Sequence, residues 1–377
     1  MKHLCLILLF ILLATCGRAM PDADLFKDST DSKFDVSEWV LTAHGFIPVP
    51  ILITEPALGN IGGGLFAVFI SRNAPYVDTI EGKVLVQRVR PNLFAAGAAL
   101  TANNSWITAG GCAAVIRKWR AHYRLGTGYA NINLKFYRTF ENSGEKSFEF
   151  NIHAVPVIGQ FLKQVGRSAW YAGVNYLFFK AQLQNNNPEF NTEKEKESVV
   201  SRAGLLVEYD HRDNIFTPDR GFRWNTLAAA SDDAVGSDYT YQLVSTAAFG
   251  YIPVESNLIA GLRTEIQQVW GDPPFYMFPF INMRGIPVAR YQGSVTALGE
   301  GELRWDFTSR HSLVAFGGAG RACDTWSDFN DAKWHVSGGA GWRYLLARKL
   351  KLRAGIDIAR GPEQWAYYMV LGSTWIK

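Results

Sequence analysis

The 377-residue sequence contains only four cysteines. Cys5 and Cys16 fall in the first twenty residues, leaving Cys112 and Cys323 for the rest. Two cysteines cannot build a disulfide framework, and no Cys-x-x-Cys offers a zinc or redox motif. Beyond the N-terminus no apolar run reaches the roughly 20 residues a spanning helix needs, so any membrane span must be made of strands. No segment shows a convincing 3.6-residue apolar period. His44, His122, His153, His211, His311 and His335 are scattered without metal-ligand spacing. A Gly-x-Ser-x-Gly elbow is also missing, which excludes a fused lipase of that type. Asp210 and Asp213 flank Arg212 and could mimic a paired-carboxylate site, but their place at a turn beside an ion-pairing arginine reads as structural. These absences argue against an enzyme and leave no cofactor or metal to expect. The net charge of +4 is too small to imply a nucleic-acid partner.

What is abundant is aromatic and small. The chain has 12 Trp, 15 Tyr, 24 Phe and 35 Gly, the first three suited to interfacial girdles and the last to closely packed, curved strands. A mean hydropathy near zero fits strands whose lipid-facing and lumen-facing residues cancel, and equally fits a soluble protein. At the N-terminus Lys2 and His3 precede an apolar run over 4–14, followed by the small residues Thr15, Gly17 and Ala19. That order predicts a cleaved secretory signal over 1–19. Leu13-Ala14-Thr15-Cys16 is an imperfect lipobox, with Thr15 poor for acylation of Cys16.

The remainder reads as 16 strands, an even number: from 62–71 and 79–89, through 93–102, 105–117, 121–138, 146–155, 169–184, 198–212, 221–231, 239–253, 257–270, 295–308, 312–323 and 333–347, to 350–360 and 364–375. Arg202, Gly204, Leu206, Glu208, Asp210 and Arg212 share one face, while Ala203, Leu205, Val207, Tyr209 and His211 share the other. Glu300, Glu302, Arg304 and Asp306 likewise oppose Leu303, Trp305 and Phe307, and Lys351, Arg353 and Asp357 oppose Leu352, Ala354 and Ile356. In lipid the charged faces line the lumen. Connections alternate between tight ones, Ala347-Arg348-Lys349 and Ser309-Arg310-His311, and long ones, 324–332, 185–197 and above all 271–294. The stretch 156–167 breaks the pattern by being long on the side of the tight turns. The expectation is an all-β antiparallel transmembrane barrel over 47–377, preceded by a short periplasmic segment over 20–46, with both ends inside and the longest loop extracellular.

Four segments carry a resemblance. Asp210, Arg212, Asp213 and Asn214, continuing through Pro218 to Gly221, resemble the hallmark hairpin of the BamA/TamA superfamily of outer-membrane barrels (bacterial surface antigen type). Asp213 and Asn214 suit backbone bonding in the turn, Pro218 fixes φ, and Gly221 permits positive φ. The stretch 279–293, with Arg284, Gly285 and Ile286 at its tip, resembles the family's folded-in sixth loop. The resemblance implies that Arg284 reaches an acid on the wall, and Glu300 and Glu302 on the next strand are the candidate partners. Relatives place an Asp one strand further on, where this chain reads Val314-Ala315-Phe316-Gly317-Gly318, so the partners here are expected to differ. The final strand, with Tyr367, Gly372 and Trp375, resembles the C-terminal signal that assembly machinery reads, extended by Ile376 and Lys377. The stretches 34–39, 48–50 and 55–59 resemble the opening segment of stand-alone and lipase-fused barrels of this family.

The resemblance implies a stand-alone barrel, since 20–46 is too short for the periplasmic POTRA modules relatives use. It implies an activity in inserting or translocating proteins, or lipids, at the outer membrane. The implied partners are the lipid bilayer, client barrels or lipids, and either a separate periplasmic protein or a second copy. The alternative is a passive pore or structural outer-membrane protein, possibly oligomeric. Gly62-Gly63-Gly64 in the first expected strand and Gly372 in the last suit either a weak seam or simple curvature.

Overall fold

A computed structural model describes residues 23–42, 47–59, 61–71, 73–80, 83–87, 89–140, 144–185 and 196–375. The expected signal over 1–19, Cys16, Ile376 and Lys377 lie outside the described residues. A short helix, α1 (Ser37–Thr42), precedes the strands. The first six strands are β1 (Ile47–Ile53), β2 (Gly62–Ser71), β3 (Tyr76–Ile80), β4 (Lys83–Gln87), β5 (Asn92–Thr101) and β6 (Trp106–Ile116). They are followed by β7 (Ala121–Phe140), β8 (Gly144–Gln164), β9 (Trp170–Asn185), β10 (Lys196–Asp210), β11 (Gly221–Ser231) and β12 (Tyr241–Glu255). The last are β13 (Leu258–Gly271), β14 (Val295–Trp305), β15 (His311–Cys323), β16 (His335–Ala347), β17 (Leu352–Arg360) and β18 (Trp365–Leu371).

Sixteen of these form one antiparallel sheet in the order β1, β2, then β5 to β18, and β3 with β4 form a separate hairpin. The alternation read from sequence sets the two faces. Leu205 is 68% exposed on the outside, whereas Glu208, three residues on, is 2% exposed inside. Arg223, Arg263, Glu300, Arg304 and Asp357 are buried in the lumen while Leu262, Leu303, Val336 and Ile356 face outward. A belt of apolar side chains around a charged interior has the polarity of a barrel in lipid. Where the chain ends meet the barrel, which we call the terminal rim, aromatic side chains border the belt. Trp170 packs against Tyr209 and Trp224 at 5.1 and 5.6 Å, and Trp305 against Phe307 at 5.8 Å. Indoles and phenols suit a membrane interface because one end is apolar and the other wet.

The strand count is as expected, but two assignments are corrected. The run 79–89 is not a wall strand: β3 and β4 fold as a hairpin at the terminal rim. Its place in the count is taken by β1, which the sequence rules demote because Pro48 and Pro50 interrupt it. Gly62, Gly63 and Gly64 therefore lie in β2, paired with Ile53, Leu52 and Ile51, and not at the seam. The long connection expected at 156–167 is mostly strand, since β8 runs to Gln164. The β7–β8 ladder lapses opposite Pro156, where no N–H is available, and resumes in the same register.

The prolines also explain the seam. All seven residues of β1 pair with β2, which requires the N–H groups of Ile47, Val49, Ile51 and Ile53 to serve that ladder. The nitrogens of Pro48 and Pro50 then lie on the opposite edge, toward β18, so that edge has lost two of its three donors. Among the described residues no ladder joins β1 to β18.

Candidate functional site

The connection between β13 and β14 turns into the lumen and packs along its wall. Phe275, Val288 and Ala289 lie against Phe136, Ile152 and Leu183, and Met277 and Phe278 against Val200, Leu243 and Val269. Ile281, Met283 and Ile286 cluster with Leu298 of β14. Tyr276 OH and Ser198 Oγ approach to 2.5 Å. Burying this apolar length is what holds an irregular loop inside a charged barrel.

At its tip Arg284 meets three acids. Nη1 donates to Asp357 Oδ2 at 3.0 Å and lies 2.8 Å from Glu302 Oε2, an ion pair without hydrogen-bond alignment. Glu300 Oε1 is 3.8 Å from Nε. The sequence candidates Glu300 and Glu302 are thus both beside Arg284, while the aligned partner is Asp357 on β17, which the sequence reading placed on the lumen face without assigning it a role. Asp357 is fully buried and also takes both Arg343 nitrogens, at 2.6 and 2.9 Å. A buried guanidinium needs such a set of carboxylates to offset its desolvation. The strand where relatives carry an Asp supplies Phe316, whose ring centre is 3.5 Å from Arg284 Cζ.

Gly285 has φ +88°, and a Cβ there would stand 2.9 Å from Gly361 N. Its own N–H donates to Tyr368 OH at 2.9 Å. Beyond the tip the loop reaches both sides of the seam. Val288 N–H donates to Glu55 Oε1 in the β1–β2 connection at 3.0 Å. Arg290 Nε and Tyr291 OH donate to Glu363, in the β17–β18 turn, at 2.9 and 2.7 Å. A cavity of about 330 Å³ lies between loop and seam, lined by Glu55, Arg284, Ile286, Tyr368, Val370 and Ser373 among others.

The hairpin motif occupies the terminal mouth. Asp210 holds Arg212 through two bonds of 2.9 Å. Asp213 Oδ1 accepts from the Asp219 and Arg220 amides, and Asn214 Oδ1 from those of Phe216 and Thr217. Pro218 is buried, with its carbonyl 3.3 Å from Arg304 Nη1. Gly221 has φ +113°. This turn crosses to the far wall, where Asn214 Nδ2 donates to Leu350 O and Lys351 Nζ to Asp213 and Asp219.

The final segment differs from expectation. β18 ends at Leu371, Gly372 adopts φ +80°, and the chain turns inward. Tyr367 faces outward, but Trp375 is 3% exposed inside, against Ala247, Phe249 and Tyr251. The expected strand end is therefore a lumen anchor. Sequence reasoning also passed over Asp28, Asp31 and Asp35, which surround the fully buried Arg310 at 2.7, 2.7 and 2.5 Å and seat the N-terminal segment on the terminal rim. Between the hairpin turn and the C-terminal residues lies a void of about 20 Å³, room for roughly one water.

No protein-family model matches the sequence, and no curated protein matches it either. Among solved structures, the chain is similar to BamA from Haemophilus ducreyi lacking POTRA domains 1–3. The identity is 13%, the TM-score 0.59, and the match covers 86% of this chain and 69% of that one. It is also similar to CdiB from Escherichia coli, with 9% identity, a TM-score of 0.57, and coverage of 86% of this chain and 62% of that one. The chain thus spans less than two thirds of CdiB. By its fold, this chain is a 16-stranded antiparallel β-barrel similar to the barrels of BamA and CdiB.

Proposed function

We propose that the chain is a bacterial outer-membrane barrel, its terminal rim toward the periplasm, that acts in insertion or translocation of proteins, or lipids, at that membrane. The observation that carries this reading is the seam. β1 and β18 have seven residues each, fewer than the 9–11 a tilted strand needs to cross the apolar core. Their facing edges have no mutual ladder among the described residues. Unpaired backbone in lipid is costly, so such an edge favours accepting an incoming strand or perturbing the local bilayer. A passive pore requires the reverse, a closed wall and an open lumen. Here the lumen holds the β13–β14 loop, the hairpin turn and Trp375. The fold likeness to BamA and CdiB supports the same role, and the reading assigns no enzymatic activity. Its partners are the bilayer, client barrels or lipids, and a periplasmic protein or second copy.

The test is reconstitution in lipid vesicles with an unfolded client barrel, alongside single-channel conductance. Faster client folding that is lost in Arg284→Ala supports the proposal. Steady conductance that ignores Arg284, with no effect on the client, makes the protein a pore.

A further inference from the structure

We infer that the terminal rim carries a binding site for the headgroup of an anionic phospholipid, built around the β6–β7 turn. Arg117-Lys118-Trp119 forms one turn of 3-10 helix, closed by Arg120 in the left-handed region at φ 51°. An arginine held in that region costs energy, and it persists because the surroundings fix it. The Arg120 guanidinium centre lies 4.5 Å, and that of Arg117 5.1 Å, from the Tyr76 ring centroid. Together with Lys163 and Trp119 they line an open cleft of about 660 Å³.

The charge in this cleft is unbalanced. Asp78 is the one carboxylate paired here among the described residues; it binds Arg120 at 2.6 Å and lies 3.7 Å from Arg167. Among the described residues the hydrogen bonds of Arg117 go only to the carbonyls of Ala74 and Pro75. Neither Lys118 nor Lys163 has an ion pair among the described residues, and Arg120 Nη1 is buried without a partner.

The same turn occurs a second time and serves as an internal comparison. Arg348-Lys349-Leu350 is also a 3-10 turn, closed by Lys351 at φ 52°. There the protein supplies a carboxylate to every cation: Asp28 to Arg348, Glu38 to Lys349, and Asp213 and Asp219 to Lys351. At the β6–β7 turn, among the described residues, only Arg120 is given a carboxylate, and an anion from outside would match the remaining cations.

The surroundings select a lipid over a free anion. Trp119 is half exposed and packs edge-on to Phe161 at 6.5 Å. Lys163 and Phe161 are two apart in β8 and share its outer face. Leu125 of β7, opposite Gly159 two residues before Phe161, is exposed to the apolar belt. A phosphate among Arg117, Lys118 and Lys163 would thus have its acyl chains on Trp119, Phe161 and Leu125. Basic side chains at a bilayer surface with aromatic anchors above them are suited to such headgroups.

The test uses the full chain in nanodiscs of phosphatidylcholine with about one-fifth phosphatidylglycerol, with lipid retention read by native mass spectrometry. Wild type is expected to retain phosphatidylglycerol over phosphatidylcholine. Arg117→Gln/Lys118→Gln/Lys163→Gln should weaken that preference on the order of tenfold or more, since each cation near the surface contributes several-fold. Lys27→Gln/Lys33→Gln, at the same rim, should leave it unchanged. Should the triple variant not fold, Lys163→Gln alone is expected to lower retention several-fold. Equal retention by wild type and variants overturns the site, as does displacement of the lipid by inorganic phosphate alone. The site rests on the membrane reading, and the two failures differ: exclusion from discs of every composition defeats that reading, while incorporation without lipid preference defeats the site.

Discussion

Arg284 Cζ stands 3.5 Å from the centre of the Phe316 ring, and the same guanidinium donates to Asp357 two strands further round the wall. The arginine is thus held by a π face on β15 and a carboxylate on β17, with Glu302 on β14 as a third contact. Three strands of the closing half of the barrel meet at one side chain. Because the loop bearing it also bonds Glu55 and Glu363, on opposite sides of the seam, it spans a junction that the strands themselves leave unpaired.

Arg284→Ala should destabilise the folded barrel by about 3 kcal/mol, since it removes the cation paired with Glu302 and one of the two that neutralise Asp357. Asp357→Asn should cost at least as much, because Asp357 serves both Arg284 and Arg343. Phe316→Leu should cost about 1–2 kcal/mol, the scale of a desolvated cation–π contact. Urea unfolding in vesicles followed by gel mobility checks the order. If Glu300→Gln proved more damaging than Asp357→Asn, the assignment of the aligned partner would be wrong.

Pro48→Val/Pro50→Val restores two donors to the edge of β1 that faces β18. The double variant should allow a partial ladder, raising stability by about 1–3 kcal/mol at roughly 0.5–1.5 per bond. Amides of residues 365–371 should gain protection from hydrogen exchange, and any client-folding activity should fall. Unchanged exchange across β18 would show that something other than missing donors keeps the seam unpaired.

The wall was legible because lipid and lumen impose opposite polarity on alternate residues, so Leu205 and Glu208 declare their faces without further information. Arg284 was legible as a loop tip through the resemblance of 279–293 to the BamA/TamA sixth loop, in which Gly285 allows the tight turn. Asp357 was not, because its proximity to Arg284 depends on how the barrel curves 73 residues later. β1 was missed because Pro48 and Pro50 are the usual marks of a non-strand, whereas here they mark an edge. The β3–β4 hairpin was read as one strand although Glu81-Gly82 between its arms is a turn-like pair. Trp375 was placed on the last strand because nothing local distinguishes an aromatic that ends a strand from one that folds inside.

The N-terminal segment should leave the rim in acid. Hydrogen bonding from Arg348 holds the Asp28 carboxyl well below its usual range, and Arg310 does the same for Asp31. For Asp35 burial acts upward, but bonds from Ser37 and Arg310 outweigh it and the net direction is down. Depressed folded values mean the clamp contributes fully above the ordinary value of 3.8 and loses its contribution as pH falls through the folded values. A spin label at Lys33→Cys, with Cys112 and Cys323 replaced by serine, should be immobile at neutral pH and mobile in strong acid. In Arg310→Ala it should be mobile at neutral pH as well. Immobility in Arg310→Ala at neutral pH would remove the clamp as the cause of docking.

Trp375 offers a separable test of position against signal. As a lumen anchor, its removal in Trp375→Ala should leave a cavity against Phe249 and Tyr251 and cost about 3 kcal/mol, with Trp375→Phe recovering most of it. A residue that acts only as an assembly signal would instead slow folding and leave the unfolding midpoint unmoved. Gly261 provides the second site, because a Cβ there would sit 2.9 Å from the Trp375 ring. Gly261→Ala should therefore destabilise the wild type by displacing the ring, and should cost much less once Trp375→Ala has vacated that space. Two contacting residues give such a non-additive cycle, whereas distant ones add. Additive costs in the double variant would place Trp375 elsewhere than against β13.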